Sequence, residues 1–133
     1  MSPEELVRAA YAAMNADGLE ALLALMDPAV EIRSLAIQSR EGDWFRGYVG
    51  VRDWWEALSA TYDHMRFELV AMHVDAAGDR AVAELRAAFV VGDFAVETEG
   101  WQSVRFRGGR ILSWARWDTE AEARAAVGMA PVQ

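Results

Sequence analysis

The stretch that decides the fold is Trp101–Asp118, with the sequence WQSVRFRGGRILSWARWD. Apolar and polar residues alternate on both sides of Gly108-Gly109, a pattern typical of two antiparallel strands joined by a tight turn. The stretch ends in Arg116-Trp117-Asp118. Whichever face of the second strand points inward decides whether Arg116 and Asp118 belong to a pocket or to the surface.

The two glycines permit two hairpin geometries with opposite consequences. A two-residue type I′ turn pairs Arg107 with Arg110 and turns Arg116 and Asp118 outward. A three-residue loop with a left-handed bulge at the second glycine reverses the faces, so that Trp114, Arg116 and Asp118 line the interior. The cost of burying an unpaired arginine favours the first geometry. The residues themselves leave both geometries open.

Two further strands precede the hairpin, at Phe67–Val74 and Arg80–Val91, and the hairpin's own first strand is predicted at Ala95–Arg107. One face of the middle strand is rich in alanine, and such small side chains leave room behind a sheet. In the hairpin strand the charged residues share one face, which is expected to point outward. This alternation predicts that Gln102 points inward.

The N-terminal part of the chain shows helical periodicity. Ser2-Pro3-Glu4-Glu5 is a capping box with proline at the first helical position, and the apolar stripe that follows runs to Met14. A second short helix is predicted over Leu19–Met26 and is ended by Asp27-Pro28. A third helix begins near Gly50, where apolar residues again recur at helical spacing.

A strand at Val30–Ile37 and a short final helix after the capping box Thr119–Glu122 complete the order ααβαββββα. Helices followed by a run of antiparallel strands predict an α+β fold. We expect a curved, mostly antiparallel sheet wrapped over three N-terminal helices, giving a cone-shaped α+β barrel in a single domain over residues 1–133. Such a cone leaves a cavity between sheet and helices, which suits a small apolar ligand.

Composition narrows the functional classes. The chain has 133 residues, of which 53% are hydrophobic, and a net charge of −8. This charge argues against nucleic-acid binding, because phosphate contacts need a basic surface. No apolar run approaches about 18 residues and no signal peptide is recognisable, so we expect no membrane interaction and a cytoplasmic location. With no cysteine and two distant histidines, neither a metal site nor any other cofactor is expected.

Four ordered segments carry a resemblance to known proteins: YAAMNADGLEALLALMDPAVEIRS (11–34), FRGYVGVRDWW (45–55), AGDRAV (77–82) and VRFRGGRILSWARWD (104–118). With them the chain resembles the nuclear transport factor 2-like superfamily and, within it, the SnoaL-like polyketide cyclase family. The segments cover most of the chain, so the resemblance implies the fold. It leaves the reaction open, because this scaffold hosts isomerases, cyclases, hydrolases, dehydratases and non-catalytic binders.

The resemblance also implies where catalytic groups would lie. By alignment, the positions used by ketosteroid isomerases correspond to Ala10, Ile32 and Gln102, and those used by limonene-type epoxide hydrolases to Leu85, Ala87 and Arg116. Neither set retains its base, so neither reaction is expected in its usual form. Tyr11 is rotated by about 100° from Ala10 and is predicted to be core. In SnoaL-like cyclases an acidic residue on or after the last strand transfers protons, and Asp118 lies near that place. The resemblance favours the second hairpin geometry, because related families place active-site groups at these alternate positions.

These patterns give a set of candidate site residues. The candidate catalytic groups are Asp118, Arg116 and His73, and the candidate pocket residues are Met14, Trp55, Leu85, Gln102 and Trp114. His73 is expected on the inner face of its strand as an acid–base group. A core or edge histidine fits as well, and a bulge in the strand would turn it outward. The adjacent Trp54 and Trp55 also fit a helix core. Trp44 and Arg40, in the loop at residues 38–50, either cover the pocket mouth or lie on the surface.

The outer face of the sheet is predicted to be more apolar than solvent exposure requires. Its residues are Val70, Met72, Val74, Val82, Ala88, Val90 and Trp101. This face predicts a homodimer. Three functions remain open: cofactor-free acid–base catalysis on a hydrophobic cyclic or polyketide-like molecule, non-catalytic binding of an apolar ligand, or a dimeric assembly subunit with a filled core.

Overall fold

The structure, a computed structural model, describes residues 1–37 and 42–132. Within these residues the order of elements is ααββαββββα. The helices are α1 (Pro3–Asn15), α2 (Leu19–Ala24), α3 (Gly47–Thr61) and α4 (Glu120–Ala126). The strands are β1 (Met26–Arg33), β2 (Trp44–Arg46), β3 (His64–Val74), β4 (Arg80–Val91), β5 (Phe94–Arg107) and β6 (Arg110–Trp117).

The strands form one sheet in the order β2-β1-β6-β5-β4-β3. Neighbours are antiparallel except β1 and β6, which run parallel. In the described part of the chain the end strands β2 and β3 do not pair with each other, so the curved sheet is open rather than a closed barrel. Buried side chains of α1, α2 and α3 join those of the inner sheet face in one core cluster. The predicted α+β fold is confirmed.

The first strand starts earlier than its sequence pattern indicates. Met26 was expected to end the second helix, yet it opens β1 and pairs with Ile111 of β6. The amide of Ile111 also donates a 2.9 Å hydrogen bond to the carbonyl of Leu25. Pairing with a strand far along the chain therefore overrides the local helical spacing. The short strand β2 was not expected and lies antiparallel to the end of β1.

Helix α1 is held at both ends. The capping box forms as predicted, with the amide of Glu5 donating to Ser2 Oγ and the amide of Ser2 donating to Glu5 Oε1, each at 3.1 Å. At the other end, Asn15 exchanges two hydrogen bonds of 2.8 and 2.7 Å with the backbone of Phe67 in β3. These contacts set the helix across the concave face of the sheet.

The hairpin combines features of both geometries that its sequence allows. Gly108 and Gly109 have φ angles of +58° and +76°, and Arg107 pairs with Arg110, as in a two-residue type I′ turn. The register then shifts by one residue at Leu112, which is the extra residue of a bulge in β6. The inserted residue reverses the alternation of side chains along β6. Residues beyond Leu112 therefore lie on the faces expected for the three-residue loop, with Arg116 pointing inward.

A second bulge, in β3, changes the expected position of His73. The register shifts between Leu69 and Ala71, so residues beyond this point exchange faces. His73 is exposed on the outer face, while Met72 and Val74 pack against the core. The expectation that His73 points inward is wrong, because simple alternation does not continue across a bulge.

Helix α4 packs on the outer, convex face of the sheet. Ala123 and Val127 form a small buried cluster with Val82, and Trp101 packs partly buried against it. The exposed outer face is therefore less apolar than predicted. Helix α4 covers Val82 and part of Trp101, and Met72 and Val74 point inward. The residues of the predicted dimer face that remain outside are Val70, Ala88 and Val90.

The turn makes a prediction about stability. Gly109→Ala is expected to lower the free energy of unfolding by about 1 kcal/mol, because a Cβ is unfavourable at positive φ. Apart from the glycine and its two chain neighbours, no heavy atom of the described residues lies within 4 Å of the Cβ site, so the loss would be conformational rather than steric. Urea unfolding measures it. Asparagine tolerates positive φ better than alanine, so Gly109→Asn should lower the free energy of unfolding by less. Equal losses in the two variants would contradict a conformational origin of the effect.

Candidate functional site

A cavity of about 520 Å³ lies between the concave face of the sheet and helices α1 and α3. We call it the inner cavity. Most of its wall is apolar or aromatic, and its lining includes Met14, Trp54, Leu58, Phe67, Leu85 and Trp114. Small residues on the inner face of β4, such as Ala83 and Ala87, leave space beneath the helices. Volume and lining fall in the range of small-molecule sites.

Two polar side chains face each other on the inner wall. Gln102 of β5 and Arg116 of β6 are directly opposite in the strand register, and both line the cavity. We call them the donor pair. Gln102 was predicted to point inward, and it does so with 5% of its surface exposed. Arg116 reaches the same face because of the bulge at Leu112.

Tyr11 fixes the amide of Gln102. The buried Tyr11 hydroxyl donates a short hydrogen bond to Gln102 Oε1, and the tyrosine ring packs at 5.3 Å from that of Trp114. Burial raises the pKa of Tyr11 well above its ordinary value, so the hydroxyl keeps its proton. Tyr11 lines the cavity and was predicted to be core. The wide inward face of α1 could have revealed it.

Arg116 is half-buried and held by backbone oxygens. Its guanidinium donates to the carbonyls of Trp117, at 2.5 Å, and of Glu99, at 3.2 Å. Burial lowers the pKa of Arg116, opposed by the negative charge of Asp118 nearby. The guanidinium lies over Gly100, where an added Cβ would overlap it. The glycine therefore supplies the space that Arg116 occupies.

Arg33 supports this end of β6 from β1. One of its nitrogens donates a 2.7 Å hydrogen bond to the backbone oxygen of Arg116, and another pairs with Asp43 at 3.1 Å. Its guanidinium also lies 4.1 Å from the centre of the Trp117 ring. The Trp117 indole donates in turn to Ser103 at 2.9 Å. These contacts hold the strand end that carries Arg116 and Asp118.

Asp118 lies where β6 ends and lines the cavity with an exposed side chain. It follows Arg116 by two residues, and its negative charge opposes the lowering of the Arg116 pKa by burial. Its position at the rim leaves it accessible to solvent and to a bound molecule.

The remaining candidates fall in three places. Met14, Leu85 and Trp114 line the inner cavity as expected. Trp55 is buried away from the cavity lining, where its indole donates to Asp17 at 2.9 Å, and Trp54 lines the cavity instead. One helical step of about 100° separates the two tryptophans, and periodicity alone could not choose between them.

His73, Trp44 and Arg40 do not join this set. His73 is exposed on the outer face and does not line the cavity. Trp44 lies in β2 and lines a different depression, on the outer face beside Trp117, so it does not cover the cavity mouth. Arg40 lies outside the described residues. Among the residues that are described, no group of three or more histidine, cysteine, aspartate or glutamate side chains could hold a metal ion.

A comparison with protein-family models gives a match to the SnoaL-like domain over residues 7–114. The chain belongs to this family. The match confirms the resemblance to SnoaL-like proteins of the nuclear transport factor 2-like superfamily. Arg116 and Asp118 lie just beyond the matched residues, so the family assignment rests on the scaffold and not on them. A search of curated proteins finds no match.

Solved structures show the same fold. TerC co-crystallized with polyporic acid aligns with a TM-score of 0.75 and 16% identity over 95% of this chain and 98% of that one. A protein described as a polyketide cyclase from Pseudomonas putida KT2440 aligns with a TM-score of 0.71 and 23% identity over 88% of this chain and 91% of that one. Delta 5-3-ketosteroid isomerase from Mycobacterium sp. aligns with a TM-score of 0.76 and 15% identity over 88% of this chain and 93% of that one. At these identities the likeness of this SnoaL-like protein to them concerns the fold alone.

Membrane insertion through a helix has no support in the described part of the chain. Its longest helix, α3, has 15 residues, and no described helix is long and apolar enough to cross a bilayer.

Burial of Tyr11 predicts a pH dependence. Because its pKa is raised in the folded chain, unfolding releases a proton once the pH exceeds about 10, the pKa of an exposed tyrosine. The free energy of unfolding is constant in this respect below that pH. Above it, the free energy of unfolding falls by up to about 1.4 kcal/mol per pH unit as the pH rises toward the pKa of Tyr11 in the folded chain. Urea unfolding between pH 8 and 11 should show this loss, and Tyr11→Phe should reduce it. The same slope in both proteins would contradict the assignment.

Proposed function

We propose that this SnoaL-like protein binds a hydrophobic, cyclic or polyketide-like molecule in the inner cavity and acts on it by cofactor-free acid–base chemistry. The observation that carries the proposal is the donor pair, Gln102 and Arg116, which shares a mostly apolar cavity wall with Asp118. An apolar wall with a few convergent polar groups is the arrangement expected of a small-molecule site.

The apolar wall sets the kind of molecule. Leu58, Phe67 and Leu85 offer no hydrogen bonds, whereas the rings of Tyr11 and Trp114 offer flat contact surfaces. A fused or substituted ring system would bury its faces against these side chains and exclude water from the inner wall. An oxygen on such a ring system would lie within reach of the donor pair.

The polar groups then have complementary roles. Asp118 accepts a proton from a carbon next to a carbonyl of the bound molecule, and the electron pair of the broken C–H bond moves onto the carbonyl oxygen. Arg116 and the amide of Gln102 stabilise the negative charge that develops on this oxygen. Asp118 returns the proton to the same or another carbon, which completes an isomerisation or follows a ring closure.

The comparisons support this proposal as a class of chemistry. Proteins with the same fold include a polyketide cyclase by description, a ketosteroid isomerase and TerC with polyporic acid bound. The proposed base differs from that of the isomerases, because Ile32 occupies the aligned position and lines the cavity. Proton transfer is therefore assigned to the end of β6 rather than to β1.

A second candidate, non-catalytic binding of an apolar ligand, is favoured by the exposure of Asp118. The acidic residues of the described cavity lining are Glu99 and Asp118. The Glu99 carboxylate is exposed and lies 3.5 Å from Nε of Arg86. The exposed carboxylate of Asp118 is in contact with water at the rim, and without proton transfer by it the donor pair would only orient a ligand.

Asp118→Asn separates the two functions. In D₂O, we expect the protein to accelerate exchange of the hydrogens next to the carbonyl of 2-tetralone, a hydrophobic cyclic ketone, measured by NMR. Asp118→Asn should slow this exchange by about 100-fold or more and leave the dissociation constant of the ketone within about twofold.

The matched control is Asp53→Asn, an equivalent change on the exposed side of α3, and it should exchange like the unchanged protein. Binding of the ketone without accelerated exchange would favour the non-catalytic function. Unchanged exchange in Asp118→Asn would contradict the role of this residue.

A homodimer through the convex face stays a prediction. It would now use Val70, Ala88 and Val90, beside the covering helix α4. Light scattering at micromolar concentration should give twice the mass of the chain, and Val70→Glu should shift the protein toward the monomer. A monomeric mass for the unchanged protein would refute the prediction.

A further inference from the structure

The donor pair has more hydrogen-bonding capacity than the protein uses. The Tyr11 hydroxyl donates to Oε1 of Gln102, which directs the amide nitrogen Nε2 away from Tyr11. Nε2 makes no hydrogen bond to any described residue, yet it is not one of the fully buried side-chain atoms that lack a partner there. This nitrogen is therefore open to the inner cavity, which Gln102 lines.

Arg116 has unused donors on the same wall. A guanidinium carries five N–H groups, and two hydrogen bonds to backbone oxygens account for part of them. Among the described residues no carboxylate oxygen lies within 4 Å of the Arg116 nitrogens, in contrast to Arg33, Arg80 and Arg107, which form ion pairs. Its charge is thus held in place by neutral groups. Burial disfavours that charge and lowers the pKa of Arg116, so an anion in the cavity would stabilise it.

Gly100 makes this arrangement possible. It is buried, and an added Cβ would overlap Nη1 and Cζ of Arg116. Any other residue at this position would displace the guanidinium from the wall beside Gln102. The displaced group is the end of a flexible side chain, so the fold would tolerate the change while the geometry of the donor pair would not.

We propose that Gly100, Gln102 and Arg116 form an anion subsite, and that the ring system bound by this protein carries an ionised oxygen, such as a carboxylate or an acidic ring hydroxyl. Nε2 of Gln102 and the guanidinium of Arg116 bind that oxygen from adjacent strands. Gly100 is a positioning residue that acts through Arg116. This inference rests on the proposed function. The proposed function requires only an apolar molecule that carries an oxygen, and the anion subsite adds that this oxygen is ionised.

Two fluorescent probes with one aromatic skeleton test the subsite. 8-Anilinonaphthalene-1-sulfonate carries an anionic group, and N-phenyl-1-naphthylamine is its neutral counterpart. We expect the unchanged protein to bind the sulfonate at least about tenfold more tightly, the ratio that one charge-assisted hydrogen bond supplies. In Arg116→Gln the ratio should fall to about one, while the affinity for the neutral probe stays within about twofold.

Gly100→Ala is the sharper variant, because it keeps every charge. It should lower the ratio as Arg116→Gln does, although no ionisable group has changed. Gln102→Leu should lower it by a smaller factor. Arg8→Gln removes an equal charge from an exposed site on α1 and should leave the ratio unchanged. Circular dichroism checks that each variant folds, and Gly100→Ala keeps the test informative if Arg116→Gln does not.

The outcomes separate the two proposals. Equal affinity of the unchanged protein for both probes overturns the anion subsite and leaves the proposed function standing. Failure to bind either probe overturns both. A ratio that falls equally in Arg8→Gln also overturns the subsite, because the preference would then come from overall charge. A ratio unchanged in Gly100→Ala overturns the positioning role of Gly100.

Discussion

The position of one inserted residue, Leu112, controls which side chains of β6 enter the cavity. Side chains alternate between the faces of a strand, so an insertion reverses every position beyond it. Ile111 and Trp114 are both buried although they are three residues apart. Beyond the bulge, Arg116 faces the cavity and Trp117 faces outward, where it stacks with Arg33. The polar end of the site depends on this shift, as does the outer support of the same strand.

Burying the polar wall requires compensating contacts. The Tyr11 hydroxyl and Oε1 of Gln102 satisfy each other, and backbone oxygens hold Arg116 where burial alone would disfavour its charge. Gly100 contributes by having no side chain. The site is therefore shared among α1, β5 and β6, and none of these elements forms it alone.

The family scaffold and the chemistry of the site occupy different parts of the chain. The SnoaL-like match covers residues 7–114 and accounts for the helices, the curved sheet and the cavity between them. Arg116 and Asp118 lie beyond it. The position that aligns with the catalytic base of ketosteroid isomerases holds Ile32, which cannot accept a proton. Structures of this shape bind different molecules, so the reaction must be argued from the side chains that reach the cavity.

Local patterns determined much of this protein. The capping box at Ser2, the alanine-rich face of β4 and the glycine pair of the hairpin act through neighbours in sequence, and each could be predicted. The inward position of Gln102 followed from alternation without a bulge. His73, Trp55 and the faces of β6 could not be settled in this way. Tyr11 lies in the core as predicted, but its place on the cavity wall was not foreseen. Bulges and helix rotation are decided by which distant strand or helix a residue packs against, and only the tertiary structure contains those contacts.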